Sequence, residues 1–268
     1  MEEGIPAELR RDRMLTLVQE REFMRVADLS NIFGISEVTV RADLASLADR
    51  GVLQRVHGGA MVRDPILRVE RSFEEALDEY AAEKAGIGRF AADTIRSGET
   101  VILDVGTSTT AIARALVART DLSDVTVFTS SLTIALELEP AIPRVTVVIT
   151  GGTLRPKQHS LVDPMAGFIF DNVNAATAFI GCNGVHPESG VTNVNLPEAE
   201  MKRKMVAAAQ RTVVVADGSK LGNISVAKVV DLSDIDQLIT GPSAPPEVVA
   251  DLASRGVSVE IAEPELRA

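Results

Sequence analysis

The sequence predicts an α/β protein in two parts: an N-terminal winged helix-turn-helix and a larger C-terminal domain with a largely parallel sheet. In the first part, three short helical patterns precede two apolar segments that flank a glycine turn. The rest of the chain alternates apolar, β-branched runs with helical segments, which is typical of a sheet covered on both faces. We therefore divide the chain into residues 1–62, a linker at 63–75 and a second domain at 76–268.

The composition is typical of a soluble protein with two domains. The chain has 268 residues, more than the ~100–200 residues usual for one domain. One cysteine, Cys182, excludes a disulfide scaffold, and we interpret it as a buried, unreactive thiol. The sequence has neither a long apolar run nor a basic-then-apolar leader, so we expect a cytoplasmic protein without a membrane partner.

Charge is distributed unevenly along the chain. The formal net charge is −11. Residues 1–63 hold nine Lys and Arg against ten Asp and Glu, a net of −1, so the remainder carries −10. Because an acidic surface repels nucleic acid, any DNA contact is expected in the N-terminal part.

The N-terminal elements follow from apolar spacing and turn residues. A first helix is expected over residues 7–22, with these apolar positions near one face: Leu9, Met14, Leu17 and Val18. A second helix fits ADLSNIF, and Gly34 supplies the turn after it. Ser36 caps a third helix that ends at Gly51, and VLQRV, HGGA and MV then form a hairpin. The inward positions of the third helix are Val40, Leu44 and Leu47, and its outward positions are Thr39, Arg41, Ala42 and Asp43.

The outward face of the third helix favours DNA binding. Such helices read base edges in the major groove, while nearby arginines, Arg11 among them, meet phosphates. The residues predicted to contact DNA are Arg10, Arg13, Ser36, Thr39, Arg41, Arg55 and His57. The pattern alone leaves open a winged helix that binds protein instead.

The second domain begins after the linker, where Pro65 and mixed charges interrupt the periodicity. A long helical stretch is expected over residues 70–95, with Gly86 and Gly88 weakening its middle. Seven apolar runs then predict strands at 101–105, 125–129, 145–150, 177–182, 212–217, 237–240 and 257–262.

Small and polar residues follow several of these strands, where ligands of parallel sheets bind. They include Asp104 with GTSTT at 106–110, Ser130, Ser131, Gly151, Gly152, GCNG at 181–184, and Asp217 with Lys220. At the start of a helix, GTSTT offers amides, hydroxyls and a positive dipole end that suit a phosphate. Lys220 would add positive charge, and Asp104 would accept hydrogen bonds from sugar hydroxyls. These residue types predict a polyol phosphate as ligand, although an ordinary helix start at GTSTT stays open.

Metal and cofactor sites are not predicted. His159 and His186 have no partner residues at metal-ligand spacing. The chain also contains neither a GxSxG elbow nor a GxGxxG fingerprint.

In its motifs and their order, the chain resembles the DeoR family of bacterial transcriptional regulators. The motifs are SEVTVRADL, RVHGGA, ERSF…EK, ILDVGTSTTAIARAL, FTSSLTIALEL, VITGGTLR, FIGCNGV, PEAEMKR and VVVADGSKLG. The resemblance covers about residues 9–262. It implies a winged helix on operator double-stranded DNA and a sensor of phosphorylated sugars that looks like ribose-5-phosphate isomerase. It also implies a repressor of a sugar-use operon, and symmetric operators go with a homodimer or homotetramer.

The resemblance also implies a set of effector-binding residues. They are Asp104, Gly106, Thr107, Ser108, Thr109, Ser130, Glu198 and Lys220, and the residue types after the third strand add Gly152. The sequence departs from the family at Ala42, where a second arginine is usual, at Asp163 in place of glycine and at Ala176 in place of aspartate. The identity of the sugar therefore cannot be carried over from a relative.

The competing hypothesis is a phosphosugar isomerase-like enzyme. Isomerisation needs a general base, typically a carboxylate. That isomerase family has an Asp-rich stretch where this chain has GCNGV at 181–185. We therefore expect a domain that binds without turnover and no enzyme activity, with Glu198 as the nearby candidate base.

Overall fold

The computed structural model describes residues 6–21, 23–49, 53–56, 58–62 and 70–264. The chain forms two compact units, Met1–Arg68 and Val69–Ala268. The boundary between these units falls inside the predicted linker, and the predicted domain limits themselves stay a prediction. Gly51 and His57 lie outside the described residues.

The N-terminal unit has the predicted helices and hairpin, with one further strand. Its elements are α1 (Ala7–Arg21), β1 (Phe23–Arg25), α2 (Val26–Phe33), α3 (Glu37–Asp49), β2 (Leu53–Val56) and β3 (Gly59–Val62). The unpredicted β1 pairs antiparallel with β3, so the strand order is β1-β3-β2. Gly34 follows α2 with a φ of 63°, a left-handed conformation that glycine adopts without strain.

The core of this unit is formed by the predicted inward positions. The fully or nearly fully buried residues include Met14, Val18, Val40, Leu44 and Leu47. The prediction for Leu9 was wrong: its side chain is 47% exposed, because the packed face of α1 begins only at Met14.

The prediction that Asp43 points outward was also wrong. Asp43 is 2% exposed, and its carboxylate accepts hydrogen bonds from Arg10 Nε at 2.7 Å and Arg11 Nε at 3.0 Å. Burial raises the pKa of Asp43, but the hydrogen bonds and charges of the two arginines outweigh it and hold this pKa below its usual value. Asp43 therefore ties α3 to α1.

The C-terminal unit is an α/β structure. Its elements are α4 (Phe73–Leu77), α5 (Ala81–Asp93), β4 (Thr100–Leu103), α6 (Thr107–Ala118), β5 (Val125–Thr129), α7 (Leu132–Leu138), β6 (Val145–Ile149), β7 (Thr153–Arg155), β8 (Ser160–Val162), β9 (Ala175–Ile180), β10 (Gly184–His186), β11 (Gly190–Asn193), α8 (Leu196–Ala207), β12 (Ala209–Val215), β13 (Ala227–Val230), β14 (Gln237–Thr240), α9 (Pro246–Ser254) and β15 (Ser258–Ile261). Over residues 70–264 the main sheet has the order β15-β14-β12-β9-β4-β5-β6. All neighbouring strands in it are parallel. The seven predicted runs supply these strands, so the predicted fold class is confirmed.

Helices cover both faces of the main sheet. On β4, Val101 and Leu103 pack in one core with residues of α5, α6 and α7. The intervening Ile102 packs on the other face, against Met201 and Met205 of α8. This alternation is what a strand buried on both sides requires.

The prediction of one long helix over residues 70–95 was wrong. The chain forms α4 and α5 there, and Tyr80, with a left-handed φ of 53°, precedes α5. Gly86 and Gly88 lie inside α5 and do not break it. A Cβ at Gly88 would lie 2.4 Å from the carbonyl carbon of Ala111, so this glycine lets α6 approach closely.

Candidate functional site

The first candidate site lies where the strand order of the main sheet reverses. Starting at β4, the chain adds β5 and β6 on one side and β9, β12, β14 and β15 on the other. Ligands of open α/β sheets bind in the crevice beyond the strand ends at such a point. Asp104 follows β4 and Gly181 follows β9, and Gly181 N donates a 2.9 Å hydrogen bond to Asp104 Oδ2. The fold thus brings two of the predicted loops together.

A buried lysine, which sequence reasoning missed, binds Asp104. Lys202 on α8 donates a hydrogen bond to Asp104 Oδ2, and both residues are 2% exposed. Burial raises the pKa of Asp104 above its usual value, although the Lys202 ammonium opposes this change, and the Glu198 carboxylate raises it further. The one sequence signal for Lys202 is its place one helical turn after Glu198.

The predicted phosphate cradle is the first turn of α6. Gly106 precedes the helix with a φ of 143°, and Thr107 begins it. The hydroxyls of Thr109 and Thr110 donate to the Gly106 carbonyl oxygen at 2.9 and 2.8 Å, so they serve the helix start itself. The first intrahelical hydrogen bond of α6 runs from Thr110 N to the Gly106 carbonyl oxygen. The amides before Thr110 therefore have no intrahelical acceptor, as at every helix start, and can bind an anion. Ser108 is buried and Thr107 half-buried beside them.

Two lysines and an aspartate form a second charged group. Asp217 Oδ2 lies 3.7 Å from Lys220 Nζ and 3.9 Å from Lys84 Nζ. This oxygen is buried and has no hydrogen-bond partner among the described residues. Lys84, which the sequence reasoning missed, is 4% exposed, and burial lowers its pKa although Asp217 raises it. The buried Glu83 carboxylate also raises the pKa of Lys84, so Lys220 is the lysine of this group with charge to offer a further anion.

Cys182 connects the two charged groups. It lies after β9, and its thiol experiences the charges of Lys202, Lys220, Asp217 and Asp104. Both ion pairs therefore lie near Cys182. From its type we predicted a buried residue, whereas Cys182 as a whole is half-buried. Burial of its thiol group nevertheless raises the pKa of the thiol to about 12.

Two further predicted residues have local structural roles. Ser130 is buried after β5, and its carbonyl oxygen accepts a 2.8 Å hydrogen bond from Leu161 N. Gly152 is exposed with a φ of 127°, and a Cβ there would lie 2.6 Å from the Val162 carbonyl oxygen. Chain geometry thus explains Gly152 without a ligand, and its predicted effector contact stays a prediction.

Glu198 is engaged by protein groups. Its Oε1 accepts a 2.8 Å hydrogen bond from Ser160 Oγ and another from Arg155 Nη1. Arg155 also donates to both oxygens of Glu70, at 2.8 and 2.6 Å. Nothing in the sequence around Arg155 indicates these partners, which are far away along the chain.

The second candidate site is the outward face of α3. Ser36 caps this helix as predicted: its Oγ accepts a 3.1 Å hydrogen bond from Thr39 N and lies 2.9 Å from Thr39 Oγ1. Arg41 is exposed and pairs with Glu37 one turn earlier. Ala42, where the family usually has arginine, is exposed beside it.

The remaining predicted DNA contacts fall into two kinds. Arg13 and Arg55 are exposed, in keeping with a role in phosphate binding. Arg10 is half-buried and binds Asp43, so a structural role is already visible for it. These DNA contacts remain predictions.

The described part of the chain has neither a candidate metal cluster nor a membrane-spanning helix. Within it, no cluster of three or more His, Cys, Asp or Glu side chains could hold a metal ion. No helix there has the length and apolar character needed to cross a membrane.

Two family models match the chain. The DeoR-like helix-turn-helix domain matches residues 10–65, and the DeoR C terminal sensor domain matches residues 79–242. Among solved structures, the chain is similar to ribose 5-phosphate isomerase A from Methanocaldococcus jannaschii, with 17% identity, a TM-score of 0.38 and coverage of 52% of this chain and 53% of that chain. This weak likeness supports no statement on function.

Curated relatives align over nearly the whole chain. HTH-type transcriptional regulator GlpR of Haloferax volcanii is 35% identical over 95% of this chain and 97% of its own. HTH-type transcriptional repressor GlcR of Bacillus subtilis is 30% identical over 93% and 94%, respectively. These relatives are regulators and not enzymes, which overrules the isomerase alternative. The chain therefore belongs to the DeoR family of DNA-binding transcriptional regulators.

Proposed function

We propose that this protein represses a sugar-catabolism operon, and that a phosphorylated sugar bound in the C-terminal unit controls its affinity for operator DNA. The observation that carries the proposal is the charge in the crevice of the main sheet. There, Lys84, Lys202 and Lys220 surround two carboxylates, those of Asp104 and Asp217. Lys220, whose side chain is 26% exposed and whose Nζ lies 3.7 Å from the buried Asp217, is the most accessible of these lysines and supplies the positive charge for an anionic ligand.

The ligand is expected to span the crevice from the first turn of α6 to Asp104. Its phosphate would meet the amides of this turn and Lys220, since a helix N-terminus and a point charge both favour phosphate. Its hydroxyls would lie toward Asp104, whose carboxylate accepts hydrogen bonds. A sugar without phosphate lacks the first set of contacts and should bind poorly.

Repression is supported by a relative, the HTH-type transcriptional repressor GlcR of Bacillus subtilis. An effector changes operator affinity only by its differential affinity for two states of the protein, and coupling is typically about 1–3 kcal/mol. We propose a homodimer or homotetramer as the DNA-binding form, because symmetric operators match two-fold symmetric proteins.

The test is fluorescence anisotropy of a labelled duplex from the region upstream of this gene, at fixed salt. We expect tight binding above competitor DNA and a shift with a phosphorylated sugar but not with its unphosphorylated form. Probes are ribose 5-phosphate, glucose 6-phosphate and fructose 6-phosphate. Absence of specific binding would refute the proposal that this DNA is the operator. A binding isotherm that none of the phosphorylated sugars shifts would refute the proposal that such a sugar is the effector.

Lys220→Ala should remove the response to the sugar while leaving operator affinity unchanged. Loss of one ammonium–phosphate contact is expected to weaken sugar binding about 10- to 100-fold. The matched control is Lys228→Ala, because Lys228 is an exposed lysine on β13 that also pairs with an aspartate, Asp231. A Lys220→Ala protein that responds at the same sugar concentration would place the phosphate elsewhere.

Arg41→Ala should weaken specific operator binding by about 1–3 kcal/mol if the side chain reads a base. Arg21→Ala, an exposed arginine at the end of α1, is the control. Affinity should fall steeply with salt for the unaltered protein, because arginines displace counterions from DNA. Equal operator affinities of the two variants would show that Arg41 does not contact the operator.

A further inference from the structure

The hairpin formed by β7 and β8 contacts the segment through which the chain enters the C-terminal unit. Arg155 binds Glu70 through two hydrogen bonds. Gln158 Nε2 donates a 2.5 Å hydrogen bond to the Arg71 carbonyl oxygen. Glu70 follows directly after residues 63–69, which connect β3 of the N-terminal unit to this point.

The turn of the same hairpin contacts α4. His159 Nε2 lies 3.2 Å from Glu74 Oε1, and the His159 ring is 5.5 Å from the Phe73 ring between centroids. Contacts of the hairpin thus extend over residues 70–74. Residues far away in the sequence therefore hold the entry segment together with its own capping box of Ser72 and Glu75.

The hairpin also contacts the helix that borders the effector crevice. Arg155 Nη1 and Ser160 Oγ both donate to Glu198 in the first turn of α8. Lys202, one turn later on the same helix, binds Asp104 in the crevice. A continuous chain of contacts therefore joins the crevice to Glu70.

Arg155 is shared between two carboxylates. The side chains of Arg155, Glu70 and Glu198 are 16%, 16% and 11% exposed, respectively. One guanidinium cannot neutralise two carboxylates, so this half-buried group carries a net negative charge, which is costly away from water. Any new donor to Glu198, such as a sugar hydroxyl, changes how Arg155 divides its hydrogen bonds. The structure shows the arrangement in which Arg155 binds Glu70 and Glu198 together, and coupling requires a second one in which its hold on Glu70 differs.

We propose that Arg155 is the residue that couples sugar binding in the crevice to the DNA-binding unit, by altering its hold on Glu70. This inference rests on the proposed function. Arg155 contacts neither the sugar nor the DNA in this proposal. It is a positioning residue that acts through Glu198 on one side and Glu70 on the other. A two-state element that both sites bias is the physical requirement for coupling.

The experiment measures the ratio of operator dissociation constants with and without sugar phosphate, on the full-length protein. The probes are ribose 5-phosphate, glucose 6-phosphate and fructose 6-phosphate, each at saturation by calorimetry. The variants are Glu70→Gln and Arg155→Lys, since lysine keeps the charge but cannot form paired bonds to two carboxylates. The matched control is Glu137→Gln, because Glu137 also accepts two hydrogen bonds from one arginine, Arg114.

We expect a ratio of about 5- to 150-fold for the unaltered protein and for Glu137→Gln. In Glu70→Gln and Arg155→Lys the ratio should fall to within about twofold of one, while calorimetry still detects the sugar phosphate binding. A merely structural role would instead lower the unfolding temperature and leave the ratio unchanged.

Two results would overturn the inference, and they are distinguishable. If Glu70→Gln keeps the full ratio, Arg155 is not the coupling residue although the proposed function stands. If none of the three sugar phosphates changes operator affinity of the unaltered protein, the proposed effector fails and the coupling role of Arg155 fails with it.

Discussion

Lys202 on α8 and Asp104 after β4 form a buried ion pair across 98 sequence positions. Each residue is 2% exposed, so neither charge has water as an alternative partner. Removing one member of such a pair leaves the other buried and uncompensated, which costs more than removing both. The pair therefore serves the fold as well as the proposed sugar site.

Lys202→Met should lower the free energy of unfolding of the C-terminal unit by about 3–5 kcal/mol. The double variant Lys202→Met/Asp104→Asn should be more stable than Lys202→Met alone. Urea unfolding followed by far-UV circular dichroism is suitable, since the chain has no tryptophan and one tyrosine. Lys204→Met is the control, because Lys204 is half-buried and its pairs with Asp163 and Asp171 are 4.0 and 3.3 Å long. Equal losses for Lys202→Met and Lys204→Met would contradict the buried pair.

Asp43→Asn should destabilise the N-terminal unit at pH 7 by about 1–3 kcal/mol, because two arginines lose a charged partner. The pKa of Asp43 is lowered in the folded state, so its contribution is present above the unfolded pKa and is lost as pH falls. Because the unfolded pKa of Asp43 is 3.8 and the folded one is lower, the loss falls below about pH 4. Hydrogen exchange of α1 and α3, read by mass spectrometry at pH 7 and below about pH 3, measures this change locally. Asp49→Asn, an exposed carboxylate at the end of α3, is the control. Similar exchange in the two variants would show that the ion pairs contribute nothing.

The main sheet could be predicted because its signal is local. Runs such as VTVFT at 125–129 and VTVVIT at 145–150 are rich in apolar and β-branched residues, which favour a strand without information from distant parts of the chain. The positions of Asp104 and Lys220 at strand ends followed from the same runs. A three-residue strand such as β1 is too short to show any period, and it was missed.

Pairing between distant residues could not be predicted. Arg155 lies 85 positions from Glu70 and 43 from Glu198. A single sequence shows that these residues are charged, but their partners are set only when the hairpin and α8 pack together. For the same reason the outward assignment of Asp43 was wrong, since its two arginines belong to another helix.

Gly88→Ala should destabilise the C-terminal unit, because the overpacking that it causes outweighs the ~1 kcal/mol that alanine's helix preference adds in its favour. The new Cβ would lie 2.4 Å from the Ala111 carbonyl carbon, so α5 and α6 must separate. Overpacking of this kind typically costs about 1–3 kcal/mol. The control is Gly151→Ala, whose Cβ would meet no atom within 4 Å. Thermal unfolding of both variants tests this, and a Gly88→Ala protein as stable as the unaltered one would refute the packing role.

Cys182 should react slowly with iodoacetamide in the folded protein at pH 8. Burial raises the pKa of its thiol from 9.0 to about 12, and only the thiolate is nucleophilic, so folding should slow alkylation about a thousandfold. The raised pKa also means that the folded state is favoured at neutral pH and loses this advantage as pH rises from about 9 toward 12. Cys182→Ala should show a flatter decline of stability over that window. Alkylation of native and urea-unfolded protein at equal rates would contradict the burial of this thiol between the two charged groups of the crevice.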